Sequence, residues 1–405
     1  MIKRNALVLG LALAGAGWGY AGQRAITIEE AVRLALDVGP SARAIALTTE
    51  RAMAEEEAAG RWENPSISLS REETGGTSET FASLTLPLPI AGRPGLERSA
   101  ARLAREGTEA AARQGRADLV ALVREAFLDL LAAQEREAVL ADTWVSLDDL
   151  TGILRARERE GESSGFDLLR VERELAAIAA ERIVARGQVA VLRIHLGVLV
   201  ALPAEELVAE GDLQATAPLI PLDRALLAAD ARGDLAALDS EANRLETLSK
   251  AAGRRIVPDL ALVAGNKTTR IDGFGEESGP IVGLALSLPV FDPGRRSSRA
   301  LAVDGTLARA RREALAQRAR AEVRAAHAEA GSRREAEQVY ATAGDPAALV
   351  AMARAAYEAG EMRILDLVDA YRTVLESRLN TIDLRAAARR AETRLARAIG
   401  YEAAP

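Results

Sequence analysis

The chain has 405 residues, with 52 Lys and Arg against 59 Asp and Glu, two His and no Cys, for a formal net charge of −7. The absence of Cys excludes disulfides and thiolate nucleophiles, and the acidic balance gives no footing for a nucleic-acid partner. Apolar residues make up 49% of the chain but only 3 Trp, 5 Tyr and 5 Phe are aromatic; Ala, Leu, Arg and Glu dominate, the composition of long helices packed side by side.

The first residues have the form of a targeting segment. Lys3 and Arg4 make a basic start, an apolar run extends from Ala6 to about Gly19, and Gly19-Tyr20-Ala21 puts small residues where a signal peptidase reads. Residues 1–21 are therefore expected to be a signal peptide. The alternative, a membrane anchor, is disfavoured because the run falls short of the ~20 apolar residues of a spanning helix. Cleavage after Ala21 leaves 50 basic against 59 acidic side chains, a net of −9. An acylated N-terminal Cys is excluded as well.

The rest of the chain is written twice. "ITIEEAVRLAL" (26–36) aligns with "IPLDRALLAAD" (220–230), "AAGRWENPSISL" (58–69) with "AAGRRIVPDLAL" (251–262), and "LPLPIAGRPG" (86–95) with "LSLPVFDPGR" (286–295). "GESSGFDLLRV" from Gly161 is answered by "GEMRILDLVDA" from Gly360, and "HLG" ending at Gly197 by "AIG" ending at Gly400. The offsets stay between 193 and 203 and the order never breaks, so two repeats are expected, 22–215 and 216–405.

Each repeat opens with short helical pieces (27–62; 222–256) that stop before Pro65 and Pro258. Two alternating runs follow. Ile67 and Leu69 alternate with Ser66, Ser68 and Ser70, and Ala82, Leu84, Leu86 and Leu88 alternate with Ser83 and Thr85; in the second copy Leu284, Leu286, Leu288 and Val290 share a face. The expected strands are about 64–73, 79–90, 258–270 and 279–291, forming two hairpins. A Pro-Gly corner (Pro94-Gly95; Pro293-Gly294) then releases each repeat into a helical hairpin, about 96–198 and about 297–400. Leu119, Leu122, Phe127, Leu130 and Leu131 recur near a 3.5 to 3.6 period. Some 60 residues at ~1.5 Å each span roughly 90 Å, longer than a compact domain is wide. In the second repeat the outgoing helix is interrupted at "GDP", where Asp345 can cap a new start and Pro346 suits a first turn.

Strands of about ten residues are long enough to cross a bilayer when tilted. Four such strands cannot close a barrel, and an unpaired edge in lipid costs several kcal/mol per backbone group. If they span a membrane, several chains must each donate four. On that arrangement Ser66, Ser68, Ser70, Ser83, Thr85 and Ser287 face the lumen, and Trp62 and Phe291 lie at the interfacial strand ends. The other reading of the strands is a small soluble β-domain.

The two-fold repeat, "NPSISL" and "VPDLAL" opening the hairpins, "LPLPIAG" and "LSLPVFDPG" closing them, and the two Gly-to-Asp-Leu turns resemble the TolC-like outer-membrane efflux protein family over residues 26–400. "LSLPVFDPGR" looks most like the branch serving resistance-nodulation-division pumps, including metal-cation exporters. The resemblance implies a mainly α fold with a membrane β-barrel. Four strands per chain enter a trimeric 12-stranded barrel in the outer membrane, and long antiparallel coiled-coil helices form an α-barrel crossing the periplasm. It implies a homotrimer that passively conducts drugs or metal cations, with a periplasmic adaptor and an inner-membrane transporter as partners and no enzymatic activity. It also assigns Gly161, Asp167 and Leu168, with Gly360, Asp366 and Leu367, to the periplasmic tip where the adaptor docks. The residue-level alternative is that each Gly ends a helix and each Asp favours the start of the next through the helix dipole. Asp366 and Asp369, three apart, could present a cation-attracting ring at a pore gate. The copies differ, Ser163-Ser164-Gly165 against Arg363-Ile364-Leu365, so a trimer would offer an adaptor two kinds of site. Other readings are a channel of a type I protein-secretion system and a soluble periplasmic coiled-coil scaffold.

No catalytic or cofactor site is expected. His195 and His327 stand 132 positions apart, four Met without Cys offer no soft-metal site, and "GAGWG" near residue 15 lies inside the targeting segment with no strand before it.

Overall fold

The computed structural model describes residues 24–161, 164–214, 217–342, 344 and 346–400; the expected signal segment and Asp345 lie outside them. In chain order the first repeat contains β1 (Arg24–Ile26), α1 (Ile28–Asp37), α2 (Pro40–Ala58), β2 (Ser66–Thr74), β3 (Thr77–Leu88), α3 (Arg93–Arg159), α4 (Gly165–Val200) and β4 (Leu207–Ala209). The second contains α5 (Leu222–Asp230), α6 (Gly233–Gly253), β5 (Asp259–Ile271), β6 (Gly275–Ser287), α7 (Arg295–Ala341), α8 (Pro346–Glu358) and α9 (Ile364–Ala398).

Local chemistry sets the helix starts. Thr27 and Glu30 form a capping box on α1, Thr27 Oγ1 accepting from the Glu30 amide at 3.3 Å. Pro40 and Pro346 open α2 and α8, where a missing N–H costs nothing. The first corner differs from expectation: Gly92 (φ +64°), not Gly95, takes the left-handed conformation, so Pro94 lies within the first turn of α3. Gly294 (φ +77°) has the corresponding place before α7.

The four long strands form one antiparallel sheet ordered β2-β3-β5-β6, so the two repeats join at β3 and β5. Its hairpin loops are tighter than the sequence implies. Gly75 and Gly76, both at positive φ, close β2–β3, and Asp272–Phe274 close β5–β6. The ladder therefore takes in Gly275–Ser278, expected to be loop, because those residues pair with Thr268–Ile271. A parallel pair, β1 with β4, was not anticipated; at three residues each these strands are too short to show a period.

The helices form a one-layer wall. Near the sheet the neighbours run α2-α3-α6-α7; farther away they run α4-α3-α9 and then α7 and α8. The 67-residue α3 passes through both levels. At the junction the C-terminal end of α4 stacks on the start of α2, where the Leu199 carbonyl lies against Gly39, and α9 likewise meets α6 where Gly400 lies against Arg232. Helices α1 and α5 with the β1–β4 pair girdle this level. Phe127, Leu130, Leu147, Leu154, Val171, Leu196 and Leu367 are at most 2% exposed, each worth roughly 1.5–3 kcal/mol of burial. A ladder of ion pairs joins α3 to α9: Asp142–Arg378 at 3.2 Å, Arg136–Asp383 at 2.7 Å, Asp129–Arg390 at 2.6 Å and Asp118–Arg397 at 2.9 Å.

Candidate functional site

The register fixes the two faces of the sheet. Ser66 pairs with Thr85, Ser68 with Ser83, and Asp259 with Ser287, and Thr85 lies opposite Val263; period-two alternation therefore puts all six expected lumenal residues on one face. The other face carries Ile67, Leu69, Leu84, Val282, Leu284 and Leu286, all exposed. It continues past the strands to Leu288 and Val290, and Val282 to Val290 is about 26 Å at ~3.3 Å per residue. That is close to the ~25 Å height of a lipid-facing band. Trp62 and Phe291, 65% and 100% exposed, sit at the helix-side end of the strands. Among the described residues the outer edges of β2 and β6 have no strand partner.

On the Ser-bearing face one cross-strand row reads Glu72, Glu79, Thr269, Glu277. Lys267 pairs with Glu79 at 2.7 Å and lies 4.9 Å from the Phe81 ring centroid. One cation thus faces three carboxylates near the end of the sheet remote from the helices. Like charges directly opposite destabilise a sheet, and no feature of the packing requires this row.

At the far end of the wall both Gly-to-Asp segments are helix turns. Gly161 (φ +78°) follows α3, Ser164 caps α4 by accepting from the Phe166 amide at 3.2 Å, and Asp167 lies in the first helical turn. Leu168 packs partly against the main core, while Phe166 and Leu169 stand 66% and 59% exposed. Gly360 (φ +75°) follows α8, with a 2.9 Å bond from the Glu361 amide to the Ala356 carbonyl.

In the second turn the side chains fall differently. Leu367 is wholly buried, with Ile364 and Val368 beside it, so it supports the turn from within and presents no surface. Asp366 and Asp369 are both exposed, but Asp366 accepts from Arg363 (Nε–Oδ2 3.2 Å), which raises the Arg363 guanidinium pKa. Asp369 is the freer carboxylate of the two expected at a gate.

The two helical hairpins are tied together close to these turns. Arg157 of α3 lies over the Tyr357 ring of α8, 5.5 Å from its centroid, and its Nη1 donates to Tyr357 Oη at 3.4 Å. A cavity of about 220 Å³ beneath them is lined by Asp149, Ile153, Arg354, Glu358, Leu367 and Tyr371. Burial raises the Tyr371 phenol, with Arg354 opposing. Arg372 of α9 reaches Glu174 of α4. The sequence reading passed over Arg157 and Tyr357; the only available signal was a Tyr in a chain so poor in aromatics. Among the described residues no group of three or more His, Cys, Asp or Glu is placed to hold a metal ion.

A profile of the outer membrane efflux protein family matches residues 31–200 and 226–401. The cobalt-zinc-cadmium resistance protein CzcC of Cupriavidus metallidurans is 27% identical over 348 residues, covering 83% of this chain and 81% of CzcC. The nickel-cobalt-cadmium resistance protein NccC of Alcaligenes xylosoxydans xylosoxydans is 25% identical over 268 residues, 64% of this chain and 60% of NccC, so the match spans less than two thirds of that relative. The CmeC outer membrane channel of Campylobacter jejuni superposes with a TM-score of 0.73 at 15% identity, covering 98% of this chain and 94% of CmeC. At that identity the likeness shows the fold, which is that of an outer-membrane channel subunit. The resemblance carried by the repeat and its hairpins is borne out by an independent match to both halves, and the chain belongs to the outer membrane efflux protein family.

Proposed function

We propose that three copies of this chain form a passive outer-membrane conduit that completes a tripartite efflux pump, with a periplasmic adaptor and an inner-membrane transporter supplying the drive. The observation that carries this is the sheet: four strands with an exposed apolar face and two unpaired edges, set on a one-layer helical wall. In water that sheet would expose its Leu and Ile side chains; in lipid its edges would lack hydrogen-bond partners. Twelve strands from three copies remove both costs, since β6 of one copy runs antiparallel to β2 of the next.

The substrate class this reading favours is cationic. CzcC and NccC are named for metal resistance, and the Glu72, Glu79 and Glu277 row supplies lumenal carboxylates three times over in a trimer. The adaptor is assigned to the turns at Gly161–Leu168 and Gly360–Asp369, with Asp369 the candidate pore-facing group, and opening is assigned to outward movement of these turns when the adaptor binds. Two experiments test the reading. A heat-modifiable trimer extracted from membranes only with detergent is expected, and recovery of the protein in osmotic-shock fluid would overturn it. Replacing Phe166, Asp167, Asp366 and Asp369 with Ala is expected to abolish export while trimers remain in the outer membrane; undiminished export would remove the turns from the docking role.

A further inference from the structure

A cavity of about 850 Å³ lies on the seam between α3 and α9. Residues of both helices line it, together with the start of α1 and the stretches 210–214 and 217–220 that join the two repeats. Its size is that of a small-molecule site, and every wall belongs to one chain.

Most of the lining is apolar. Phe127, Leu128 and Leu131 of α3 and Leu395 and Ile399 of α9 are each at most 6% exposed, with Leu219 and Ile220 half-buried beside them. The joining stretch is tied down at both ends. Gln134 of α3 brackets the Ala209 backbone, Nε2 donating to the carbonyl at 2.9 Å and Oε1 accepting from the amide at 3.0 Å. His327 Nε2 of α7 donates to the Ile220 carbonyl at 3.1 Å. The cavity is therefore held open by fixed backbone.

Three guanidinium groups line it, and two are committed. Arg334 pairs with Glu392, and Arg389 pairs with Glu337 at 3.2 Å and Glu392 at 3.0 Å. Arg124 makes no ion pair with any described residue, and its buried Nε has no hydrogen-bond partner among them. The carboxylates left in the lining, Glu29, Glu210 and Asp212, belong to exposed residues, and none of them pairs with Arg124. A cation among apolar walls costs stability until an acceptor reaches it. The Asp129–Arg390 and Asp118–Arg397 pairs bracket Arg124 and set it near the level of Thr393. From there to Ile399 the lining of α9 runs on for about 9 Å.

We propose that this cavity binds a single-chain carboxylate amphiphile, with its head on Arg124 and its alkyl chain along Leu395, Ile399, Leu219 and Ile220. One uncommitted guanidinium matches one carboxylate, whose two oxygens suit its planar fork. The apolar run beyond it matches an alkyl chain. The exposed carboxylates at Glu29, Glu210 and Asp212 disfavour small anions that bring no chain to offset the repulsion. This site is separate from the conduit reading, and its failure would leave that reading untouched.

The chain lacks Cys, so Leu219→Cys in the full chain puts a lone thiol in the cavity wall. Its rate of reaction with a maleimide is followed in membrane fragments with octanoate, octan-1-ol or acetate. Octanoate is expected to slow the reaction in a saturable way, by about threefold at twice its Kd, whereas octan-1-ol and acetate leave the rate close to the parent's. Adding Arg124→Gln is expected to abolish the octanoate effect without changing the unprotected rate, and Arg124→Lys to keep part of it. No protection by octanoate, or equal protection by octan-1-ol, would overturn the proposal. Undiminished protection with Arg124→Gln would overturn it too, by removing the head group's partner. Ile220→Cys gives a second reporter, and the octanoate and octan-1-ol comparison decides without Arg124→Gln should that variant not accumulate.

Discussion

Arg157 and Tyr357, 200 positions apart and on different repeats, meet face-on where α3 and α8 approach the far turns, 5.5 Å from guanidinium carbon to ring centroid. A half-buried contact of this kind is worth about 0.5–1 kcal/mol. It is one of few that hold the two hairpins together beyond the α3–α9 ladder. Arg157→Ala is expected to loosen that end and raise the resting conductance of reconstituted channels in planar bilayers, with little loss of trimer. Tyr357→Phe keeps the ring and loses only a long hydrogen bond, so its conductance should stay close to the parent's. Equal effects from both would mean that the hydroxyl, and not the ring, makes the tie.

Gly360 and Gly294 share a left-handed backbone but differ in their surroundings. A Cβ at Gly360 meets nothing within 4 Å, whereas one at Gly294 would strike the Ala252 carbonyl and approach Arg255 Cβ to 2.9 Å. Gly360→Ala is expected to cost about 1–2 kcal/mol, the backbone term alone, and Gly294→Ala considerably more, since backbone must move. Thermal unfolding of the detergent-solubilised protein ranks them; the reverse order would show that the turn at Gly360 is packed against something in the assembled protein.

Burial pushes the Glu135 carboxyl above its ordinary range, with Asp212 adding to the effect and Arg385 opposing it. A carboxyl whose pKa is higher folded than unfolded binds its proton more tightly in the native state. Its ionisation therefore removes stability as pH rises from the unfolded value toward and through the folded one, and the loss is complete above that. Glu135→Gln is expected to gain on the parent between pH 4 and 7, seen as a difference in unfolding temperature that grows with pH. A constant difference would place the effect in packing.

The row of Glu72, Glu79 and Glu277, on the face proposed to line the lumen, predicts charge selectivity. With Glu72, Glu79 and Glu277 changed together to Gln, Lys267 loses its partner and becomes the dominant charge. The reversal potential across a KCl gradient is expected to shift from cation preference toward anion preference, by an amount that shrinks at high salt. An unchanged potential would locate the filter at the other end of the channel.

Much of the architecture was legible because it repeats. Alternation at Ile67–Ser70 and Leu84–Leu88 revealed strands with an apolar face, and the same face is exposed in the structure. The Gly residues at 161 and 360 are left-handed, as helix ends require. The site was less legible. Leu367 and Leu168 occupy matching places in the repeat, yet one is wholly buried and the other half-buried, since α8 and α9 pack around the second turn. Ser164 caps α4 while its counterpart before α9 has no side-chain cap, so equivalent words take different local roles.

Periodicity and internal repetition were sufficient for the duplicated plan, the strand faces and the helical hairpins, because each is written in neighbouring residues. They could not say that β3 pairs with β5, that Arg157 finds Tyr357, or that Asp366 is engaged by Arg363. Nor could they say which face of α4 meets α3. A helical period states how many faces a helix has to cover, and only the packed chain decides which neighbour covers each and which is left for another molecule.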